Sequence, residues 1–260
     1  MKTTLFGALA LVLTCSLTSA QPAPGKTEAQ LLFDKCRAAY AGLKSYRGTT
    51  RTSNLSLIDG APSIYAGSAK ISFQRPGLLR VDGKLAGGGD FSILGNAKGS
   101  WYRWPIGNGG QWTKIEQLDM AIGSMTGVAA SAPTTIPSLL TQPGDSGVFA
   151  FSQLAKIDDE EPIDGQMCHK ITAKHAMETT SWWIDKKTLL LRRIVGYTSE
   201  AQSAAKMAEV EKAMKDLPQI AGEEAVPKID MRFVSRVEEF EIEAINEAVD
   251  EKLFAPPELK

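Results

Sequence analysis

The sequence predicts a mainly β fold of the α+β class, in which an antiparallel sheet curls toward a barrel or sandwich and an N-terminal helix packs on it. Residues 64–74 alternate apolar and polar side chains until Arg75-Pro76, as a half-buried strand does. Turn signals such as Asp59-Gly60 separate many short segments of this kind. A capping box from Thr27 to Gln30 opens a run with helical spacing.

The first twenty residues have the pattern of a secretory signal peptide. Lys2 provides the positive start, residues 5–13 form an apolar core, and small residues at 18–20 predict cleavage after Ala20. The apolar run is too short to span a bilayer. Cys15 leaves lipid attachment open as an alternative, although the three residues before it lack the small residue such signals use. We expect export and a single domain over residues 21–260.

The N-terminal helix is expected to lie on the core. Its apolar residues recur every three or four positions, namely Ala29, Leu32, Phe33, Cys36, Ala39, Tyr40 and Leu43. Short strands with turns between them follow. They are predicted at residues 46–57, 64–74, 78–85, 91–96, 100–104, 111–115, 148–157, 166–175, 181–185, 189–197 and 229–242.

Two segments interrupt the β pattern. Residues 119–142 are apolar, rich in small residues and poor in charge, which predicts one or two short helices resting on an apolar surface. Residues 199–217 begin with a second capping box, Ser199 to Gln202, and end before Pro218, which predicts an additional helix.

Composition and motifs argue against nucleic-acid binding and against ordinary enzyme chemistry. The 260 residues include 29 Lys and Arg against 30 Asp and Glu, so the chain lacks the basic surplus that a nucleic-acid surface needs. It has no nucleophile elbow, zinc-protease motif or phosphate-binding loop. The glycines at 87–89 precede a strand rather than a helix, which indicates a hairpin loop. We expect no catalysis and no cofactor.

Metal and ligand-stacking sites are also weakly indicated. His169 and His175 are predicted on one strand face, too far apart to chelate one ion directly. The four acids at 158–161 could attract calcium but are more typical of a solvated turn, so we expect no metal site. The aromatic run Trp101, Tyr102, Trp104 and Trp112 could stack on a sugar or a base, although packing in a hairpin is the alternative.

An exported chain retains Cys36 and Cys168, and an even pair in an oxidising compartment predicts a disulfide between them. One observation argues against this disulfide. Cys168 shares a strand face with Lys170, whereas Cys36 is on the apolar stripe of the helix. Either the helix covers that face or the bridge does not form.

Taken together, the order of motifs resembles the LolA-like family of periplasmic lipoprotein carriers. The motifs are an amphipathic helix followed by Ser45-Tyr46, a strand ending Phe73-Gln74-Arg75-Pro76, a Gly turn into Trp101-Tyr102, the helical segment 119–142, and a closing Leu253-Phe254-Ala255-Pro256-Pro257. The resemblance covers nearly all of residues 21–260. The segment 199–217 departs from it, because the family usually has a tight hairpin there.

The resemblance implies an incomplete antiparallel β-barrel with helices 119–142 as a lid over an apolar cavity for acyl chains. It also implies that Arg75 matches the arginine that latches the lid. Arginine can bond backbone carbonyls without an acidic partner. The expected ligand-binding residues are Phe73, Arg75, Trp101, Met120, Met125, Ile136 and Leu139.

On this reading the protein is a non-enzymatic periplasmic carrier of acyl chains, including those of lipoproteins. Its partners would be an acylated protein or lipid, a membrane lipoprotein-release complex or an outer-membrane receptor. The alternative is an envelope-stress sensor that binds a protein partner through the same cavity. An envelope hydrolase is disfavoured, because the sequence offers no pair of nucleophile and base.

Overall fold

A computed structural model describes residues 25–85, 88–105, 109–125, 134–144, 147–176, 178–205, 208 and 231–257. The helices are α1 (Glu28–Gly42), α2 (Leu118–Ser124) and α3 (Thr135–Thr141). The strands are β1 (Ser45–Ile58), β2 (Ala61–Gln74), β3 (Leu78–Lys84), β4 (Asp90–Asn96), β5 (Gly99–Arg103), β6 (Thr113–Ile115), β7 (Ala155–Ile163), β8 (Gln166–Lys174), β9 (Thr179–Asp185), β10 (Leu191–Tyr197) and β11 (Met231–Ile245).

Some predictions lie outside the described residues: the signal peptide with Cys15, the middle of the 119–142 segment and most of the 199–217 helix. The start of that last helix is described, and residues 200–205 are helical. The Ser199 hydroxyl accepts from the Gln202 amide at 3.3 Å, and the Gln202 side chain accepts from the Ser199 amide at 2.9 Å, so this capping box is confirmed.

The described strands form one antiparallel sheet in the order β6-β5-β4-β3-β2-β1-β11-β10-β9-β8-β7. Two long strands, β1 and β11, pair near its centre and join a half built from β1 to β6 with a half built from β7 to β11. The end strands β6 and β7 do not pair with each other, so the sheet is not closed. The predicted fold class, an incomplete antiparallel barrel, is therefore confirmed.

Helix α1 lies on the concave face of the sheet, as its apolar stripe predicts. Both capping-box bonds are present, from the Gln30 amide to the Thr27 hydroxyl and from the Thr27 amide to the Gln30 side chain. Phe33 is fully buried and stacks on Phe149 with ring centroids 4.5 Å apart, while Trp182 meets Phe33 edge-on at 5.2 Å. These contacts connect α1 to the half of the sheet that contains β9.

Helices α2 and α3 cover the concave face beside α1, and together we call them the lid. Their buried residues Ala121, Ile122, Ile136, Leu139 and Leu140 belong to the same hydrophobic core as α1 and the concave strand residues. None of the helices in the described ranges is long and apolar enough to cross a bilayer.

The predicted strand at 148–157 is wrong. Its first part forms two 3-10 turns, Gly147–Phe149 and Ser152–Leu154, and β7 begins only at Ala155. The apolar residues that suggested a strand instead point into the core: Phe149 is fully buried against Phe33, and the Val148 carbonyl accepts from Trp182 Nε1 at 3.1 Å. The first of these turns therefore places its residues against α1 and β9.

The acidic segment 158–161 is not the predicted turn either, because it lies within β7. Lysines from neighbouring segments pair with two of its four acidic residues. Lys170 on β8 donates to Glu161 at 2.7 Å, and Lys186, just after β9, contacts Glu160.

The predicted disulfide is also wrong, since Cys36 and Cys168 are free thiols. Cys36 is fully buried in the core between α1 and the concave face. Cys168 lies in a separate cluster with Ile163 and Trp183. The residues of β8 that reach the main core are Ile171 and Ala173, which lie an odd number of positions after Cys168 and so on the other face of the strand. The sheet itself separates the two sulfur atoms, because side chains one residue apart along a strand point to opposite faces.

Candidate functional site

A cavity of about 450 Å³ lies between the lid and the β9-β10-β11 part of the sheet, and we call it the lid cavity. One wall is apolar and includes Ile122, Val148, Phe151, Trp182 and Ile194. Its size is within the range of ordinary small-molecule sites.

Arg75, at the end of β2, fastens two helices at once. Its Nε donates to the carbonyl oxygen of Leu43 at 2.8 Å, and its Nη2 lies 3.4 Å from the carbonyl oxygen of Tyr40. Both carbonyls belong to the C-terminal turn of α1. The same Nη2 donates to the carbonyl oxygen of Leu140 in the last turn of α3, at 3.2 Å.

The last carbonyls of a helix have no partner within the helix and carry its partial negative charge. A guanidinium meets both needs, because it presents several fixed donors and a full positive charge. Arg75 also lies over the ring of Phe73, 5.3 Å from the centroid. It therefore joins the lid to α1 and β2 through bonds to neutral backbone oxygens.

A polar cluster lines the other side of the lid cavity. Glu238 on β11 is only 1% exposed, and its Oε2 accepts a hydrogen bond of 2.6 Å from the hydroxyl of Thr135 on the lid. Arg236 lies two residues away on the same strand, with Nε 3.4 Å from Glu238 Oε1 and Nη2 3.6 Å from Glu178 Oε1. Glu178 in turn accepts from the Thr180 hydroxyl at 2.7 Å.

Sequence reasoning missed this cluster. A signal was present, since Arg236, Glu238 and Phe240 alternate along β11 and therefore share one face. Phe240 is buried in the core, so its companions on that face point the same way. The usual expectation, that charged strand residues face solvent, concealed the arrangement.

Apart from Arg75, the predicted ligand-binding residues fall into three groups. Phe73, Met125, Ile136 and Leu139 are together in the core, each at most 1% exposed. Met120 on α2 is 54% exposed and points away from that core. Trp101 belongs to a different cluster with Leu94, Val249 and Phe254, where the C-terminal segment packs on the sheet.

The aromatic run is split in the same way. Tyr102 and Trp104 pack against the main core, whereas Trp112 packs against the Trp101 cluster. The guanidinium carbons of Arg80 and Arg103 lie 5.4 and 5.3 Å from the ring centroid of Trp112. These rings do not form one stacking surface.

The two histidines have ordinary surroundings. His169 Nδ1 lies 3.6 Å from Glu160, and His175, one residue beyond β8, stacks on Phe151 with centroids 4.1 Å apart. In the described ranges, His, Cys, Asp and Glu side chains nowhere gather in groups of three that could hold a metal ion.

No protein-family model and no curated protein matches the chain at a significant level. Solved structures do match. LprF from Mycobacterium bovis has a TM-score of 0.42 and 14% identity, covering 86% of this chain and 95% of that one. A LolA superfamily protein from Nitrosomonas europaea has a TM-score of 0.26 and 12% identity, covering 88% and 97%. The MucA/MucB complex from Pseudomonas aeruginosa has a TM-score of 0.40 and 9% identity, covering 88% and 62%.

Proposed function

We propose that this chain is a non-enzymatic periplasmic binding or carrier protein that takes acyl chains between its lid and the concave face of its sheet. The observation that supports this most directly is the attachment of the lid. Arg75 secures α3 by one bond to the Leu140 carbonyl, so the lid can release without separating an ion pair.

Release of the lid would present an apolar surface suited to an acyl chain. Met125, directly after α2, and Ile136 and Leu139, on α3, are buried in the same core as Phe73 on the sheet. An acyl chain in their place would keep the same surfaces away from water, so opening and binding together cost little hydrophobic free energy. Methionine adds a flexible side chain that adapts to differently shaped chains.

A closed lid and a bound chain compete for the same space in this scheme. Cargo binds when the lid is open and leaves as the lid closes, so the strength of closure sets how long cargo is retained. The partners that such a carrier serves would be an acylated protein or lipid, a membrane complex that releases lipoproteins, and an outer-membrane receptor.

Lipid extraction tests the proposal. The full chain is expressed with its own leader, purified from the periplasm, and divided for intact-mass measurement and for lipid analysis by mass spectrometry. We expect a mass that begins at Gln21 together with co-purifying acyl chains. A protein partner in equal amount without lipid would favour the sensor alternative, and turnover of an acyl ester would overturn the non-enzymatic reading. A diacylated Cys15 would show an anchored protein instead.

A further inference from the structure

The lid cavity has a charged side that an acyl chain does not need. Glu238 is almost fully buried, and Arg236 and Glu178 lie beside it. Taking carboxylates out of water is costly, and apolar residues of similar size would make a better wall for hydrocarbon. The cluster therefore indicates that part of the ligand is polar.

The register of the strands places the polar groups directly beside the apolar wall. Ile194 on β10 pairs with Trp182 on one side and with Glu238 on the other. Two residues further along β10, Gly196 pairs with Thr180 on β9 and with Arg236 on β11. A Cβ at Gly196 would lie 3.4 Å from the Glu178 carboxylate, an ordinary contact distance, so this carboxylate lies directly beside the β10 backbone. Apolar and charged surfaces are thus adjacent within one cavity, as an amphiphilic ligand requires.

The charge of the described lining is negative. Asp119, Glu178 and Glu238 contribute three carboxylates, against the single guanidinium of Arg236. That guanidinium is already shared between two of them, at 3.4 and 3.6 Å. A further cation would gain attraction in this partly enclosed space, whereas a further anion would be repelled.

We propose that the lid cavity selects amphiphiles in which an apolar chain ends in an ammonium group, with Glu178 and Glu238 facing that group. The inference rests on the proposed function, because it assigns the polar end of a ligand whose chain that function places between the lid and the sheet. The ammonium could belong to a simple alkylamine or to the head of an amino-phospholipid.

Displacement of a fluorescent acyl probe from the full chain, at neutral pH and below the critical micelle concentration, measures the preference. The competitors share one chain and differ in the head: dodecylammonium, dodecyl sulfate and dodecyl maltoside. A short-chain phosphatidylethanolamine is the arm that distinguishes a phospholipid head from a free amine. We expect dodecylammonium to displace the probe at a concentration at least about tenfold lower than dodecyl sulfate.

Glu178→Gln and Glu238→Gln should each reduce that ratio. Glu241→Gln is the matched control, because it removes the same charge from the same strand at an exposed position where Glu241 pairs with Arg51. Both variants are tested because Glu238 is buried and its replacement could disturb folding. Glu178 is partly exposed, so its replacement should disturb folding less.

The buried Nε of Arg236 is paired with Glu238 Oε1 at 3.4 Å but forms no well-aligned hydrogen bond among the described residues, and the sulfate arm tests whether it binds an anion instead. Equal or stronger displacement by dodecyl sulfate overturns the inference, as does a ratio that both glutamine variants leave unchanged. If no amphiphile displaces the probe, or the probe does not bind, the proposed function itself fails.

Discussion

The hydroxyl of Thr135, on the lid, donates a hydrogen bond of 2.6 Å to the buried carboxylate of Glu238, on the central strand of the sheet. Arg75 bonds the opposite end of the same helix, at the Leu140 carbonyl. Helix α3 is therefore held at both ends, from two strands that lie on either side of β1. Both contacts must break before the lid opens.

Replacing Thr135 with valine should weaken lid closure. Valine keeps the shape but removes the hydroxyl, which leaves the Glu238 carboxylate with one fewer donor and costs about 1 to 3 kcal/mol in the free energy of unfolding. Urea denaturation and hydrogen exchange of α3 amides measure the effect. Thr141→Val is the control, because the Thr141 hydroxyl donates to the Pro137 carbonyl within α3 rather than to the sheet. Equal losses in the two variants would show that the bond to the sheet is unimportant.

Arg75→Leu should leave the sheet folded and shift the lid toward its open form. The variant loses the charge-assisted bonds to Leu43 and Leu140, each worth about 1.5 to 3 kcal/mol. A bound acyl probe should then dissociate more slowly, because a weakened lid competes less well for the cavity. Stopped-flow release of the probe measures this. Arg51→Leu, at an exposed arginine of β1, should release it at the wild-type rate. Identical rates in all three proteins would remove Arg75 from the mechanism.

Cys36 and Cys168 should both be free in the purified protein. Burial raises the pKa of the Cys36 thiol far above its usual range, and burial together with Asp185 raises the pKa of Cys168. Neither thiol should react quickly with an alkylating reagent until the protein is denatured. Mass mapping after alkylation in denaturant checks this, and reducing agent should leave the melting temperature unchanged. A Cys36–Cys168 peptide in a non-reducing digest would refute the free thiols.

Asp185 should make the free energy of unfolding depend on pH in the acidic range. Burial alone raises the pKa of this carboxyl, but the amides of Thr188 and Lys187 and the side chain of Arg192 outweigh burial and hold the pKa below its usual value. Because the pKa of Asp185 is lower in the folded state, its carboxylate stabilises the protein at pH values above the unfolded-state pKa, which is near 4. This contribution is lost as the pH falls through the folded-state pKa.

Asp185→Asn should cost about 3 kcal/mol at neutral pH, because it strands Arg192, whose side chain is only 16% exposed. The variant should also lose less stability than wild type between neutral pH and pH about 3. Urea titrations at several pH values test both statements. Asp34→Asn breaks the pairs with Lys26 and Arg37, which also lower the pKa of Asp34, but this carboxyl is more exposed, so the variant should change the profile less than Asp185→Asn does. Parallel pH profiles for wild type and Asp185→Asn would contradict the assignment.

Local patterns in the sequence were enough to predict most of the fold. Period-two alternation and turn residues identified β1 to β6 and β8 to β11 within a few residues, because a half-buried strand must alternate. The capping boxes at Thr27 and Ser199 marked two helix starts, since the unpaired amides of a first turn need local acceptors. The exception, residues 148–157, is a short apolar run, which periodicity alone cannot assign.

The candidate site depended on tertiary structure. Alternation tells which residues share a strand face but not which face is turned inward. Glu238 points into the lid cavity because it shares a face with Phe240, and Trp101 is on another surface because the segment containing Phe254 packs there. Cys36 and Cys168 remain apart because the sheet lies between them. The sequence by itself determined the strands, the helix starts and the class of fold, since these follow from interactions between near neighbours. Only the folded chain decided which charges would be buried together, because that depends on contacts between residues such as Thr135 and Glu238, which are 103 positions apart.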